Sequence, residues 1–266
     1  MADLLRILIT VKTYPLPSTK HTEIVCTAGV QQDGTFARLY PVDYRYRPFD
    51  EQYRKYQWIE VEAEKRTSDP RPESFRPVSG AAIATIGEPL STEDGWYERK
   101  KIVLAKEPKS MCELERRPQS CCSLGIIRPK CVDDLLAEPT EADWTPKQKQ
   151  QLAQLRLFGP ANKPLEKIPY KFSYVFTCED SGCRGHQKMV EDWEIGQLYR
   201  KMRDRYGNEG KAVEKVRDKF LGQLCGASVD THFFVGTILQ HNTWIVIGTF
   251  CPPKKASTLS SQKTLW

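Results

Sequence analysis

A run of soft metal ligands, Cys178-Glu-Asp-Ser-Gly-Cys183-Arg-Gly-His186, lies between a predicted strand and a predicted helix. Two thiolates and an imidazole on a glycine-containing turn can converge on one ion, and zinc takes four such ligands in a tetrahedron. The turn supplies three, so a fourth has to come from elsewhere, and Cys225 is assigned to that place. An iron–sulfur cluster is the alternative occupant. If only three protein ligands bind, the open position makes the site catalytic rather than structural. Without a metal the same residues are a tight turn with two ordinary thiols and a capping histidine.

Three carboxylates follow directly, in Glu191-Asp192-Trp193-Glu194. His186 with Asp192 or Glu194 is a candidate catalytic set, holding a divalent ion or serving as general acid and base on a phosphodiester or related substrate. The competing reading is that acids in a first helical turn answer the helix dipole. A second cysteine group, Cys112-x8-Cys121-Cys122-x8-Cys131, matches no compact cluster motif and reads as a cysteine-rich connecting segment. Cys26 and Cys251 lie in strand-like sequence as small buried hydrophobes. Nine cysteines is an odd number, in a chain of 266 residues. That points to reduced thiols and a cytoplasmic location rather than to a disulfide scaffold.

The formal net charge is +6. It is concentrated between Arg99 and Cys131, where Arg99, Lys100, Lys101, Lys106, Lys109, Arg116, Arg117, Arg128 and Lys130 face three acids. Such a segment attracts phosphate backbones through counterion release, although a solvated basic loop has the same composition. Upstream, bases interleave with aromatics in Arg38-Leu-Tyr40, Tyr44-Arg45-Tyr46-Arg47 and Tyr53-Arg54-Lys55-Tyr56. Rings can stack nucleobases while Arg and Lys hold phosphates. On a strand, Tyr44 and Tyr46 would face away from Arg45 and Arg47, so only part of the set can form one surface. The candidate nucleic-acid contacts are Arg38, Arg45, Arg54, Lys55, Arg99, Lys100, Lys101, Arg116 and Arg117.

The chain ends in a small-residue linker and then Gln262-Lys-Thr-Leu265-Trp266. The spacing of Gln262, Leu265 and Trp266 resembles the short peptide by which many bacterial DNA polymerases and repair proteins dock on the sliding clamp. That resemblance implies a DNA sliding clamp as partner, with Gln in a polar subsite and Leu and the aromatic in an apolar one. It covers these five residues, and departs from the usual pattern at Lys263 and in having Trp266 where Phe is commoner. Alternatively Leu265 and Trp266 fold back onto the protein's own surface.

These residues need positioning elements. Residues 1–105 read as a β-rich, barrel-like or bent-sheet module, from short β-branched and aromatic runs at Arg6–Thr13, Glu23–Val30, Thr35–Tyr40 and Gln57–Glu64, then Ala81–Ile86 and Lys101–Ala105. Residues 106–165 read as a basic connecting segment with short helices at Val132–Glu138 and Pro146–Leu157, the second capped by Thr145. Residues 166–252 read as strand, helix, helix, hairpin: Tyr170, Phe172, Tyr174 and Phe176 alternate at strand period, and Ile195, Leu198, Tyr199, Met202 and Tyr206 form one helical stripe ending at Gly207. Residues 253–266 read as a flexible tail carrying the docking peptide.

The predicted fold class is therefore α+β. No stretch approaches the roughly 18 apolar residues of a membrane helix. The amino terminus has an acid where a signal peptide would be basic. There is no Gly-rich phosphate loop, no Gly-x-Ser-x-Gly and no His-Glu-x-x-His. Those absences argue against ATPases with a standard loop, the usual serine hydrolases and zincin proteases, and the three leads converge on an intracellular protein that binds or processes nucleic acid. Were it an enzyme, it would be a metal-dependent hydrolase acting on nucleic acid. The alternatives are a metal or iron–sulfur redox protein and a non-enzymatic, zinc-stabilised interaction module.

Overall fold

A computed structural model describes residues 2–66, 68–153, 163–241 and 243–254. The docking peptide Gln262, Leu265 and Trp266 lies outside the described residues. The first part is built from β1 (Ala2–Lys12), β2 (Leu16–Ser18), β3 (Thr22–Val30), β4 (Phe36–Val42), β5 (Trp58–Lys65), β6 (Ser74–Pro77) and β7 (Ile83–Ile86). The order β1-β3-β4-β6-β5 returns to β1, because β5 also pairs with β1, so five strands close a barrel. Closure leaves no free edge on those strands. Leu5, Ile7, Ile9, Leu39, Ile59 and Val61 fill its interior. β1 is buried on both faces, because Leu8 and Val11 point the other way, into a core shared with Leu124, Phe234, Ile245 and Ile247 from the second part.

α1 (Glu93–Val103) and α2 (Met111–Glu115) follow. The predicted strand at Lys101–Ala105 is therefore the end of a helix, one that opens through left-handed Asp94, Gly95 and Trp96. Then come β8 (Leu124–Ile127), β9 (Cys131–Pro139), α3 (Pro146–Leu152), β10 (Tyr170–Thr177), β11 (His186–Met189), α4 (Trp193–Tyr206), α5 (Glu209–Arg217), β12 (His232–Ile238) and β13 (Thr243–Phe250). They make two three-stranded antiparallel sheets, β11-β10-β9 and β13-β12-β8, bridged at Val190–Val246. The architecture is α+β. The helix read at Val132–Glu138 is strand β9, since its backbone bonds go to β10 along its whole length and tertiary pairing overrides local helix preference. Thr145 caps α3 in a full capping box with Gln148, and Pro146 occupies the first turn.

α4 forms where its apolar stripe predicts: Ile195, Tyr199 and Met202 are buried, and Gly207 ends it at φ +61. Exposed Tyr206 lies off the buried face. α5 runs into a π-helical turn, Asp218–Gln223, that buries Phe220 beside Val216. Among the described residues no helix is long and apolar enough to cross a membrane.

Candidate metal centre and the surfaces around it

α2 is anchored by Met111 and Leu114, both fully buried, and capped by Ser110, whose hydroxyl accepts the Glu113 N–H at 2.9 Å. That leaves Cys112 facing the turn between β10 and β11. The turn is shaped locally: Cys183 N donates to Asp180 O at 3.0 Å, Gly182 N to Asp180 Oδ1 at 3.1 Å, and Gly185 sits at φ +89. An L side chain there would be strained. β11 then starts at His186, opposite Phe176.

Cys112, Cys178, Cys183 and His186 come together, with one ligand atom of each within 4.8 Å of all the others. Cys112 Sγ lies 3.4 Å from His186 Nε2 and 3.6 Å from Cys178 Sγ. His186 Nε2 is 3.6 Å from Cys178 Sγ and 3.4 Å from Cys183 Sγ. A tetrahedral zinc with bonds of about 2.3 Å to sulfur and about 2.05 Å to nitrogen requires S···S near ~3.8 Å and S···N near ~3.6 Å. The donor set and its spacing fit such an ion. Cys183 Sγ also accepts N–H groups from Cys178 at 3.3 Å and Gly185 at 3.4 Å. On the far side of the ring, His186 Nδ1 is 3.4 Å from Glu115 Oε2, the carboxylate–histidine arrangement that orients a ligating imidazole.

The fourth member is Cys112, and this corrects the assignment of Cys225. Cys225 lies beyond the π-helical turn, where its thiol donates to Phe220 O at 3.3 Å and burial pushes it up to about 12. Cys121 and Cys131 are exposed, and Cys122 donates to Leu124 O at 3.1 Å, so that group forms no second cluster. All nine cysteines are free thiols.

His186 and the acids at 191–194 are not brought together. β11 carries the chain away from His186 in extended form, about 13 Å over the four residues to Val190 at the usual strand rise. Asp192 is instead the N-cap of α4, accepting Glu194 N at 2.8 Å. Lys55 Nζ lies 2.7 Å from Glu194 Oε2 and 3.8 Å from Asp192 Oδ2. Burial raises the Asp192 carboxyl to about 6, against the opposing charge of Lys55. Beside them Lys12 is lowered to about 8 by burial, its Nζ 4.3 Å above the Tyr44 ring and bonded to Tyr44 Oη at 3.1 Å. The catalytic set of His186 with Asp192 or Glu194 is thus two separate networks, one around thiols and one around lysines.

The basic residues also divide. Arg38 is 3% exposed and donates to Ser74 Oγ at 3.0 Å, Ser123 Oγ at 2.9 Å and Ser123 O at 3.0 Å, so it is closed to a phosphate. Lys55 is engaged as described, and Arg45 pairs with buried Glu23 at 2.8 Å. Arg99 lies 4.0 Å from the Tyr56 ring centre and donates to Leu90 O, while Lys100 Nζ donates to Pro253 O at 3.4 Å. Tyr44, Tyr53 and Tyr56 are buried and closed to a base, Tyr40 and Tyr46 are half-buried, and Tyr44–Tyr46 form a 3-10 turn rather than a strand. Arg54, Lys101, Arg116 and Arg117 are exposed, Arg54 pairing with Glu88, Arg116 with Asp180 at 2.8 Å and Arg117 with Glu113 at 2.6 Å. Arg184, inside the cysteine turn, is also exposed and was absent from the sequence-based set.

Among solved structures, this chain is similar to one described as the structure of a murine DNA binding protein bound with ds DNA, at 8% identity and a TM-score of 0.33, covering 95% of this chain and 97% of the other. A second, the crystal structure of the tetrameric p202 HIN2, is similar at 6% identity and a TM-score of 0.30, covering 95% and 92%. Likenesses at this level carry no fold or function across. No curated protein matches. Residues 3–105 match the family model described as "Domain of unknown function (DUF8758)". Residues 107–265, more than half of the chain, match the one described as "Domain of unknown function (DUF8757)", and the protein belongs to that family.

Proposed function

We propose that this protein binds nucleic acid and that a structural zinc at Cys112, Cys178, Cys183 and His186 holds part of its binding surface in shape. The observation that carries the reading is the Cys3His tetrahedron, with three sulfurs and a nitrogen already at metal-ligand spacing. Four protein ligands close the coordination sphere, which favours a structural ion over a hydrolytic one. One metal-sized group also favours zinc over an iron–sulfur cluster. Arg116 and Arg117 follow the ligand Cys112 and Arg184 adjoins the ligand Cys183, and Arg116 already reaches the cysteine turn at Asp180, so a bound ion would hold exposed cations from two distant parts of the sequence close to the site. Arg residues fixed this way suit phosphate contacts, each adding to the salt dependence of binding. The peptide at Gln262, Leu265 and Trp266 remains a proposed docking segment for a sliding clamp.

The test is the salt dependence of affinity for duplex and single-stranded DNA and for RNA, comparing the protein with a variant carrying Arg116→Ala, Arg117→Ala and Arg184→Ala. Binding that weakens with salt, with a slope reduced by about 2–3 in the variant, supports the reading. Equal slopes, or no binding in either protein, reject it.

A further inference from the structure

Between β2, the start of β10 and the start of α4 lies a cavity of about 370 Å³ that the metal centre does not touch. Its walls include Tyr14, Trp144, Tyr170 and Phe172. Two of these are locked in place: Tyr14 Oη donates to Glu166 O at 2.8 Å, and Trp144 Nε1 donates to Leu165 O at 2.8 Å. Glu191 and Asp192 line the same cavity, with Lys167 and Lys171. No hydrogen-bond or ion-pair partner for the Glu191 carboxylate occurs among the described residues, and burial alone pushes it up to about 7. Asp192 is 1% exposed, and its Oδ2 has no hydrogen-bond donor among the described residues. Asp192 is held by Glu194 N at Oδ1 and by Lys55 at 3.8 Å, which leaves the half-buried Glu191 carboxylate as the group open to a donor that arrives with a ligand.

We propose that this cavity receives a guanine base splayed out of a nucleic-acid strand, stacked on its aromatic walls, with Glu191 accepting the base's N1–H and N2–H. Guanine is the base whose Watson–Crick edge offers two adjacent donors, which a carboxylate's two oxygens can accept together. Aromatic faces supply stacking to any base, so the carboxylate is what discriminates. Lys167 suits a flanking phosphate, Lys171 pairs with Glu138 at 2.5 Å, and the two lysines disfavour an organic cation, the other ligand an aromatic cavity with an acid could hold. This inference rests on the nucleic-acid reading and names the base that reading would select.

The experiment compares affinities at pH 8 for two single-stranded 12-mers, all dT and the same strand with one central dG, in the full-length protein and in Glu191→Gln. The expected result is about tenfold tighter binding of the dG strand, lost in Glu191→Gln while affinity for the dT strand stays. Trp144→Ala should remove the same preference, and cooperative melting of Glu191→Gln at or above the temperature of the unaltered protein shows that it folds. Equal affinity for both strands in the unaltered protein, with normal salt dependence, overturns the base site and leaves nucleic-acid binding intact. Binding of neither strand overturns the base site, and absence of binding to duplex DNA and RNA as well overturns the nucleic-acid reading with it. Preferential binding of trimethyllysine, displaced by Trp144→Ala, overturns the guanine assignment in favour of a cation cage.

Discussion

Glu191 makes the folded state sensitive to pH. Its carboxyl rises to about 7 on folding because burial disfavours the charged form and no partner offsets it. Between the ordinary glutamate range and about pH 7 the folded chain therefore holds a proton that the unfolded chain has released, so stability is highest below that window and is lost as pH rises through it. Glu191→Gln should flatten melting temperature across pH 5–7, with a gain of roughly 1–3 kcal/mol at pH 7.5. An unchanged pH profile in the variant would contradict the burial of this acid. Its neighbour Asp192 shows how little one residue's type reveals: a carboxylate before a helix is equally a catalytic acid or an N-cap. Only the arrival of Lys55 from the barrel decides for the cap and ion pair.

Elements with strong periodicity were legible. The alternation through β10 and the 3-4-7 stripe of α4 need one face buried, and that requirement is written in the side chains themselves. β9 was not legible, because Cys131–Pro139 has helix-compatible residues and becomes a strand through its pairing with β10. The same limit hid Cys112, which lies 66 residues before Cys178 and meets it only when α2 packs against the β10–β11 turn. Close packing of α4 against the barrel gives a prediction at this scale. A Cβ added at Gly196 would sit 2.6 Å from Tyr14 Cδ2, inside contact distance of a ring fixed by its bond to Glu166. Gly196→Ala should lower stability by about 1–3 kcal/mol in denaturant unfolding despite its better helix propensity. Stabilisation instead would show that Tyr14 is free to move.

Across the whole molecule, buried arginines tie the barrel to the second part. Arg38 crosses to Ser123, and Arg71 donates to Thr237 O at 2.6 Å while paired with Asp69 at 2.7 Å. Although desolvation pushes the Asp69 carboxyl up, its bonds from Arg71 hold it at about 2. Removing the charge from such a network leaves buried oxygens without donors. Arg38→Ala should therefore cost about 2–4 kcal/mol, visible as a lower denaturant midpoint, whereas a change under about 0.5 kcal/mol would mean the contact across the two parts is dispensable. In the sequence Arg38 is one basic residue among aromatics, and nothing local marks it as internal. The metal centre is the claim on which the functional reading stands, and elemental analysis tests it most directly. The purified protein should carry about one zinc per chain, lost in Cys112→Ser and kept in Cys225→Ser. No zinc in the unaltered protein, or zinc retained in Cys112→Ser, would contradict it.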